Sequence, residues 1–252
     1  MPNVLLEKKD RTTIVTLNRP ERRNALTIEL LTEVTEALEA ASADPDQRIL
    51  ILRGAGQAFC AGLDLQETTV IEKAHRSAEM VAKTLLAISQ TRLITIAQVH
   101  GAAVAGGAGL MSACDFVVAA ERTKIGYPET KRGLVAGLVM TFLRRQLRER
   151  DIRELLFTGD LISAERAREI GLVNRVVAPN ELENETQRIV DAVLQNAPVA
   201  LANTKRLIEE LWSSSVREDV ESALRHHMEA RESTEAKEGI AAFLEKRSPN
   251  WT

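Results

Sequence analysis

The stretch Ile94–Leu110, ITIAQVHGAAVAGGAGL, decides how this chain is read. It opens as a short, continuous apolar run, Ile94–Val99, the signature of a strand buried on both faces. It then passes into a glycine-bearing turn and a small-residue helix entered at Gly106-Gly107. Glycine-rich backbone directly after a buried strand can approach a ligand closely. No formally charged residue occurs from Leu93 to Cys114, about the length that spans a bilayer. However, Gln98, His100, four glycines and many alanines make insertion weak. A buried strand, a turn and a helix explain the segment better, and no membrane association is expected.

Upstream, strand and helix patterns alternate. Thr12–Leu17 (TTIVTL) reads as a strand. Thr27 can cap a helix carrying Ile28, Leu31, Val34, Leu38 and Ala41, which Asp44-Pro45 ends. Ile49–Leu52 (ILIL) is another buried strand, followed by a helical pattern through Val70, Ala74, Val81 and Leu85. Downstream, Phe116–Ala119 reads as a strand. After about residue 137 helical segments dominate: Leu138–Leu147, Arg153–Phe157, Ser163–Ile170, Leu182–Leu194, Pro198–Trp212, Val216–Met228 and Glu235–Lys246, with one short strand at Val173–Val177. The plan is an α/β core followed by a helical C-terminal region. The run Arg144–Arg153 (RRQLRERDIR) reads as a solvated helix face.

Composition narrows the function classes. The 252 residues are 44% hydrophobic and 27% charged, an ordinary globular balance. With 33 Lys+Arg against 36 Asp+Glu, the net charge is −3, and nucleic-acid binding is not expected. The two cysteines, Cys60 and Cys114, make neither a disulfide framework nor a metal motif. The N-terminus lacks the apolar region of a secretory signal, so a cytoplasmic location is expected.

Two further glycine-bearing segments stand out: Gly54–Leu65 (GAGQAFCAGLDL), after ILIL, and Gly126–Gly133 (GYPETKRG). Neither strand-following loop matches the dinucleotide or phosphate-loop patterns. Both can aim backbone N–H groups at one point, as an oxyanion hole does. The glycines can equally serve only to permit tight strand–helix packing, and spacing alone does not choose.

A set of motifs adds to this reading: RPERRNALT (Arg19–Thr27), AFCAGLDL (Ala58–Leu65), VHGAAVAGGAGLMSACD (Val99–Asp115), GYPETKRGL (Gly126–Leu134), LFTGDLISAERAREIGLVNRVV (Leu156–Val177) and AFLEKRSPNW (Ala242–Trp251). In order and spacing these resemble the crotonase superfamily, the enoyl-CoA hydratase/isomerase family, nearly end to end. The resemblance implies a spiral of ββα units over 1–195 and a helical C-terminal region over 196–252. That region would build homo-oligomers, a trimer or a dimer of trimers (a hexamer). It implies an acyl-CoA thioester as substrate, no separate cofactor or metal, and a place in fatty acid metabolism.

The resemblance places the oxyanion N–H groups on Leu63 and Gly106. It places coenzyme A along Ala58–Leu63, including Ala58 and Ala61, with Ala25, Asp64 and Gly107 nearby. Arg22 and Arg23 fall where the family meets CoA phosphates, although a purely solvated role is open. Phe243 and Lys246 match C-terminal residues that reach a CoA. Family hydratases hold water with two glutamates, the first three residues past the oxyanion glycine. Here that place is Gly109, whereas the second acid is present as Glu129.

Water addition shares proton transfer between two groups, whereas a double-bond shift needs one base that removes and returns a proton. The retained Glu129 and the pair Glu129-Thr130 therefore resemble the family's Δ3,Δ2-enoyl-CoA isomerases. The alternatives are a 2-enoyl-CoA hydratase with a non-standard second acid and a non-catalytic acyl-CoA-binding paralogue. A remoter one is decarboxylation or C–C chemistry of a malonyl-type thioester. Asp64 or Glu67 could substitute for the missing acid, though Asp64 reads better as fixing its own loop. Glu129 itself could instead make a loop salt bridge. Tyr127 either lines the acyl pocket or packs. His100 reads as structural, His75 as a minor candidate at the site's mouth, and His226-His227 as surface residues.

Overall fold

The computed structural model describes residues 2–251, and of Thr68 the backbone alone. The first strand pair is a hairpin, β1 (Val4–Lys9) and β2 (Thr12–Leu17), antiparallel with Val4 opposite Leu17. Helix α1 (Ile28–Ala43) follows, and the Thr27 side chain accepts from Leu30 N as expected of its cap. Then come β3 (Ile49–Gly54), α2 (Ile71–Gln90), β4 (Ile94–Val99), β5 (Ala102–Val104), α3 (Gly106–Ser112) and β6 (Phe116–Ala120). They are followed by β7 (Lys124–Gly126), α4 (Gly137–Gln146), α5 (Glu149–Thr158), β8 (Ile162–Ser163), α6 (Ala164–Glu169) and β9 (Arg175–Val177). Four helices end the chain: α7 (Leu182–Leu194), α8 (Pro198–Glu210), α9 (Val216–Glu232) and α10 (Thr234–Glu245).

The main sheet has the order β1-β2-β3-β4-β6-β9, parallel beyond the first pair, and a second, small sheet has the order β5-β7-β8. The continuous apolar strands are explained by burial of both faces. On one face Val15, Leu17, Leu50, Leu52, Ala97 and Val99 pack with α1 and α2. On the other, Ile14, Ile49, Ile51, Ile94 and Ile96 pack against Leu182, Val190 and Val193 of α7. The uncharged Leu93–Cys114 stretch is β4, β5 and α3. No helix among the described residues is long and apolar enough to cross a membrane.

Several local expectations change. Strand β1 escaped the sequence reading because five of its six residues are exposed on the sheet edge, leaving no apolar pattern. Strands β5, β7 and β8, two or three residues each, are too short for one. Val70 does not join the buried stripe of α2. It is the exposed residue before that helix. Arg145 departs from the solvated reading of its charged run: its side chain is 10% exposed and pairs with Glu209 at 2.8 Å and Asp219 at 3.1 Å. His227, read as a surface residue, is 6% exposed, because α9 lays that side against α2 and α4.

Gly101 joins the end of β4 to β5 with φ +64°, and a Cβ there would run into the carbonyl oxygen of Gln57. A left-handed side chain and a blocked neighbour act together. Gly101→Ala is expected to destabilise the fold by about 1–3 kcal/mol, read as a lower midpoint in thermal or urea unfolding.

Candidate active site

Three loops converge through short parallel pairings. Leu26 pairs with Leu63 and Cys60 with Ala103 as isolated bridges, while Val104 of β5 pairs with Gly126 of β7. In the first bridge Leu26 N donates to Gly62 O (2.8 Å) and Asp64 N donates to Leu26 O (2.9 Å). The peptide N–H of Leu63 therefore faces away from Leu26, on the side of Gly106. A Cβ built on Gly106 would lie 4.0 Å from Leu63 N, and one built on Gly62 would lie 3.6 Å from Gly106 N. Among the described residues neither N–H has an acceptor. Ala105, just before Gly106, adopts φ 50° and ψ −124°. That conformation costs an alanine on the order of 1–3 kcal/mol and is met chiefly where surrounding structure enforces it.

Both amides border a cavity of about 90 Å³. Ala61, Leu63 and Leu65 form one wall; Val104, Ala105 and Gly106 the next; Ala78 and Val81 of α2 another. The segment 129–139, His227 and Phe243 close it. Nearly all of this lining is aliphatic.

Glu129 is the one carboxylate on that wall among the described residues. It follows β7 through Tyr127-Pro128, so the pairing that sets β5 also sets the acid. Its side chain is buried, and Oε2 has no hydrogen-bond partner among the described residues. Burial pushes the carboxyl up to about 7, although its own backbone N–H and Arg132 pull the other way. Arg132 also donates to Pro128 O at 3.0 Å and lies 4.3 Å over the Phe243 ring.

The place where family hydratases carry their first acid is filled. A Cβ on Gly109 would approach Val139 Cγ1 to 2.6 Å, with Leu85 Cδ2 at 3.8 Å. The suggested substitutes are engaged elsewhere. Asp64 is held by Arg19 at 3.3 Å and Arg22 at 3.7 Å, fixing its loop. Glu67 accepts from Ile28 N (2.9 Å) at the start of α1. Tyr127 takes the packing alternative: fully buried, its hydroxyl bonds Ser112 Oγ at 2.8 Å and does not line the cavity. His100 Nε2 meets Gly56 O at 3.0 Å, a structural contact. His75 lies 3.0 Å from Glu232 Oε1, on the partly exposed side of α2.

Of the expected CoA contacts, Ala61, Leu63, Gly106 and Phe243 reach the cavity. Ala58 is buried and does not line it, and Gly107 packs so tightly on Cys60 that a Cβ would meet Cys60 O at 2.5 Å. Arg22 and Arg23 are exposed on the turn before Ala25, Arg22 bonding Gln66 Oε1, and Lys246 is exposed at the end of α10. Both cysteine thiols are pushed up to about 12 by burial and stay protonated.

Two residues were missed. Asn24, fully buried, donates from Nδ2 to Ala55 O, Ala58 O and Phe59 O (2.8–3.1 Å) and accepts from Arg19 N. It staples the Gly54–Leu65 loop, and its only sequence signal is its place in RPERRNALT. His227 lines the cavity from α9, where helix periodicity alone gives a histidine no inward preference.

This geometry has close counterparts. The family model described as enoyl-CoA hydratase/isomerase matches residues 7–252. The chain belongs to that family. The crotonyl-CoA hydratase of Syntrophomonas wolfei is 34% identical over 99% of this chain and 97% of its own. The enoyl-CoA hydratase EchA19 of Mycobacterium tuberculosis is 35% identical over 99% and 96%. A carnitinyl-CoA hydratase structure from Mycobacterium avium superposes with a TM-score of 0.89 at 32% identity, covering 100% of this chain and 99% of that one. The fold is thus the crotonase-like α/β fold.

The raised Glu129 carboxyl has a consequence for stability. Between about 4.5 and 7 the folded state holds a proton that the unfolded chain has released, so stability falls as pH rises through that window. Glu129→Gln removes this burden. The variant's unfolding free energy is expected to match the parent near pH 4 and exceed it above pH 7, checked by urea titrations at both.

Proposed function

We propose that this chain shifts a double bond in an enoyl-CoA thioester, using Glu129 as a one-carboxylate proton shuttle. The observation that carries the reading is the pairing of a lone, buried Glu129 with a Gly109 site closed by Val139. The thioester oxygen would sit at the Leu63 and Gly106 N–H groups, each such donor typically worth about 3–4 kcal/mol of barrier. Ionised Glu129 takes a proton from C2 of a 3-enoyl chain. The freed pair delocalises onto the thioester oxygen, and the C3=C4 electrons become available to bond a proton at C4. The protonated Glu129 then delivers that proton to C4, leaving the double bond at C2=C3 and the carboxylate restored. A base with a pKa near the working pH suits both halves. In this reading coenzyme A lies along Ala58–Leu63, with Arg22, Arg23 and Lys246 available to its phosphates.

Hydration of 2-enoyl-CoA is the second reading, favoured by the hydratase names of the relatives. Purified protein assayed with 3-enoyl-CoA and 2-enoyl-CoA separates the two. Isomerisation is expected to dominate, to rise with pH through a limb near 7, and to fall about 10²–10⁴-fold in Glu129→Gln. Dominant hydration that survives Glu129→Gln overturns the proposal.

We also propose that α8 is where copies of this chain assemble. Leu207, Ile208 and Leu211, neighbours at the C-terminal end of α8 and its cap, are 51%, 62% and 78% exposed, large apolar side chains left in water on adjoining turns. Leu211→Glu is expected to lower the mass read by light scattering, with the helical signal retained.

A further inference from the structure

The turn Pro128–Arg132 holds two complementary atoms that do not meet. Glu129 Oε2 and Arg132 Nε are both fully covered, and neither has a hydrogen-bond partner among the described residues. Buried polar atoms ordinarily find partners, so a donor and an acceptor orphaned three residues apart call for a cause. The guanidinium is held from two other directions. Its Nη1 donates to Pro128 O at 3.0 Å, and its central carbon lies 4.3 Å from the centre of the Phe243 ring. The negative face of an aromatic ring attracts a cation at this distance. Backbone packing sets the ring's own place. A Cβ on Gly239 would run into the Arg132 carbonyl group, and one on Gly133 into the Glu235 carbonyl group, so α10 is seated directly on the turn. Phe243 follows Gly239 by one helical turn and shares its face.

We propose that the Phe243 ring holds the Arg132 guanidinium beside Glu129 but short of an ion pair, which makes Arg132 and Phe243 positioning residues for that carboxylate. Near but unpaired, the cation favours the ionised carboxyl enough to offset part of its burial without capturing it. The other charged groups on the turn and on the elements packed against it are engaged or turned outward. On the turn itself Lys131 is drawn to Asp160 at 2.6 Å. On α5, Arg153 meets Glu149, while Asp151 and Glu154 meet Arg166. On α10, Glu238 is held by Arg247, and Glu235 and Lys237 are exposed. From α9, His227 has Nδ1 against Val135 O, and burial holds its pKa below the ordinary value. Burial also keeps the Tyr127 hydroxyl protonated. This role rests on Glu129 being the working acid–base group, but its titration is read without turnover.

The infrared band of the protonated carboxyl, identified in each protein by its loss on Glu129→Gln, reports the protonation midpoint directly. In the unaltered protein that midpoint is expected near 7. Arg132→Met removes the cation, and the midpoint is expected to rise by about one pH unit or more. Arg132→Lys keeps a charge that can lie over the ring, and most of that change is expected to be recovered. Phe243→Leu keeps the apolar fill but releases the guanidinium onto Glu129, so there the midpoint is expected to fall by about one pH unit or more. A merely structural role would lower the melting temperatures and leave the midpoints in place, which overturns the proposal, as does a rise in Phe243→Leu. Phe243 is 48% exposed, so that variant decides the matter even where those at Arg132 fold poorly. The limb of the isomerisation pH profile is expected to follow the midpoints. Midpoints that move as expected in a protein that isomerises no 3-enoyl-CoA overturn the shuttle reading and leave the placement of Arg132 standing.

Discussion

The site depends on backbone pairing that stops one residue short. Leu26 takes up the peptide groups on either side of Leu63, and Cys60 is tied to Ala103 in the same way. These bonds hold the Ala58–Leu63 segment between its neighbours while leaving the Leu63 and Gly106 amides uncommitted. Such amides are useful only if they cannot relax toward a protein acceptor, because preorganised donors avoid reorganisation when charge develops. Asn24 supplies much of that restraint by gathering three carbonyls of the loop onto one amide group. The positive φ of Ala105 shows the same enforcement from the other side.

Glu129 is governed by a different balance. A carboxylate removed from water resists ionisation unless a cation or several donors compensate. Here compensation is partial: Arg132 is near, but it also serves Pro128 O and the Phe243 ring. The carboxyl is left poised between its two forms near neutrality. A stronger partner would make Glu129 a weaker base, and complete isolation would keep it protonated.

The fold was legible because its strands are buried on both faces, so ILIL and ITIAQV stand out as uninterrupted apolar runs bounded by glycine. The edge strand β1 was not, since exposure erases the pattern on which such reading depends. At the site, Glu129, Leu63 and Gly106 were reachable from motif position, and the packing of Gly109 bears on the absent acid. Tyr127 was left between two roles because sequence does not say which side of a turn a ring enters. His227 was misplaced for a related reason. It sits on a charged amphipathic helix, and only the docking of α9 onto α2 and α4 decides that this face goes inward. Asn24 was overlooked because an asparagine beside arginines reads as surface until its three carbonyl partners are seen.

Val139 pressed against Gly109 links two positions far apart in the chain into a single steric lock. A glutamate arriving at 109 alone would collide with that methyl group, whereas a smaller residue at 139, which also lines the cavity, would widen the space beside Gly109. The two positions are therefore coupled: what position 109 can hold is set by the residue at 139.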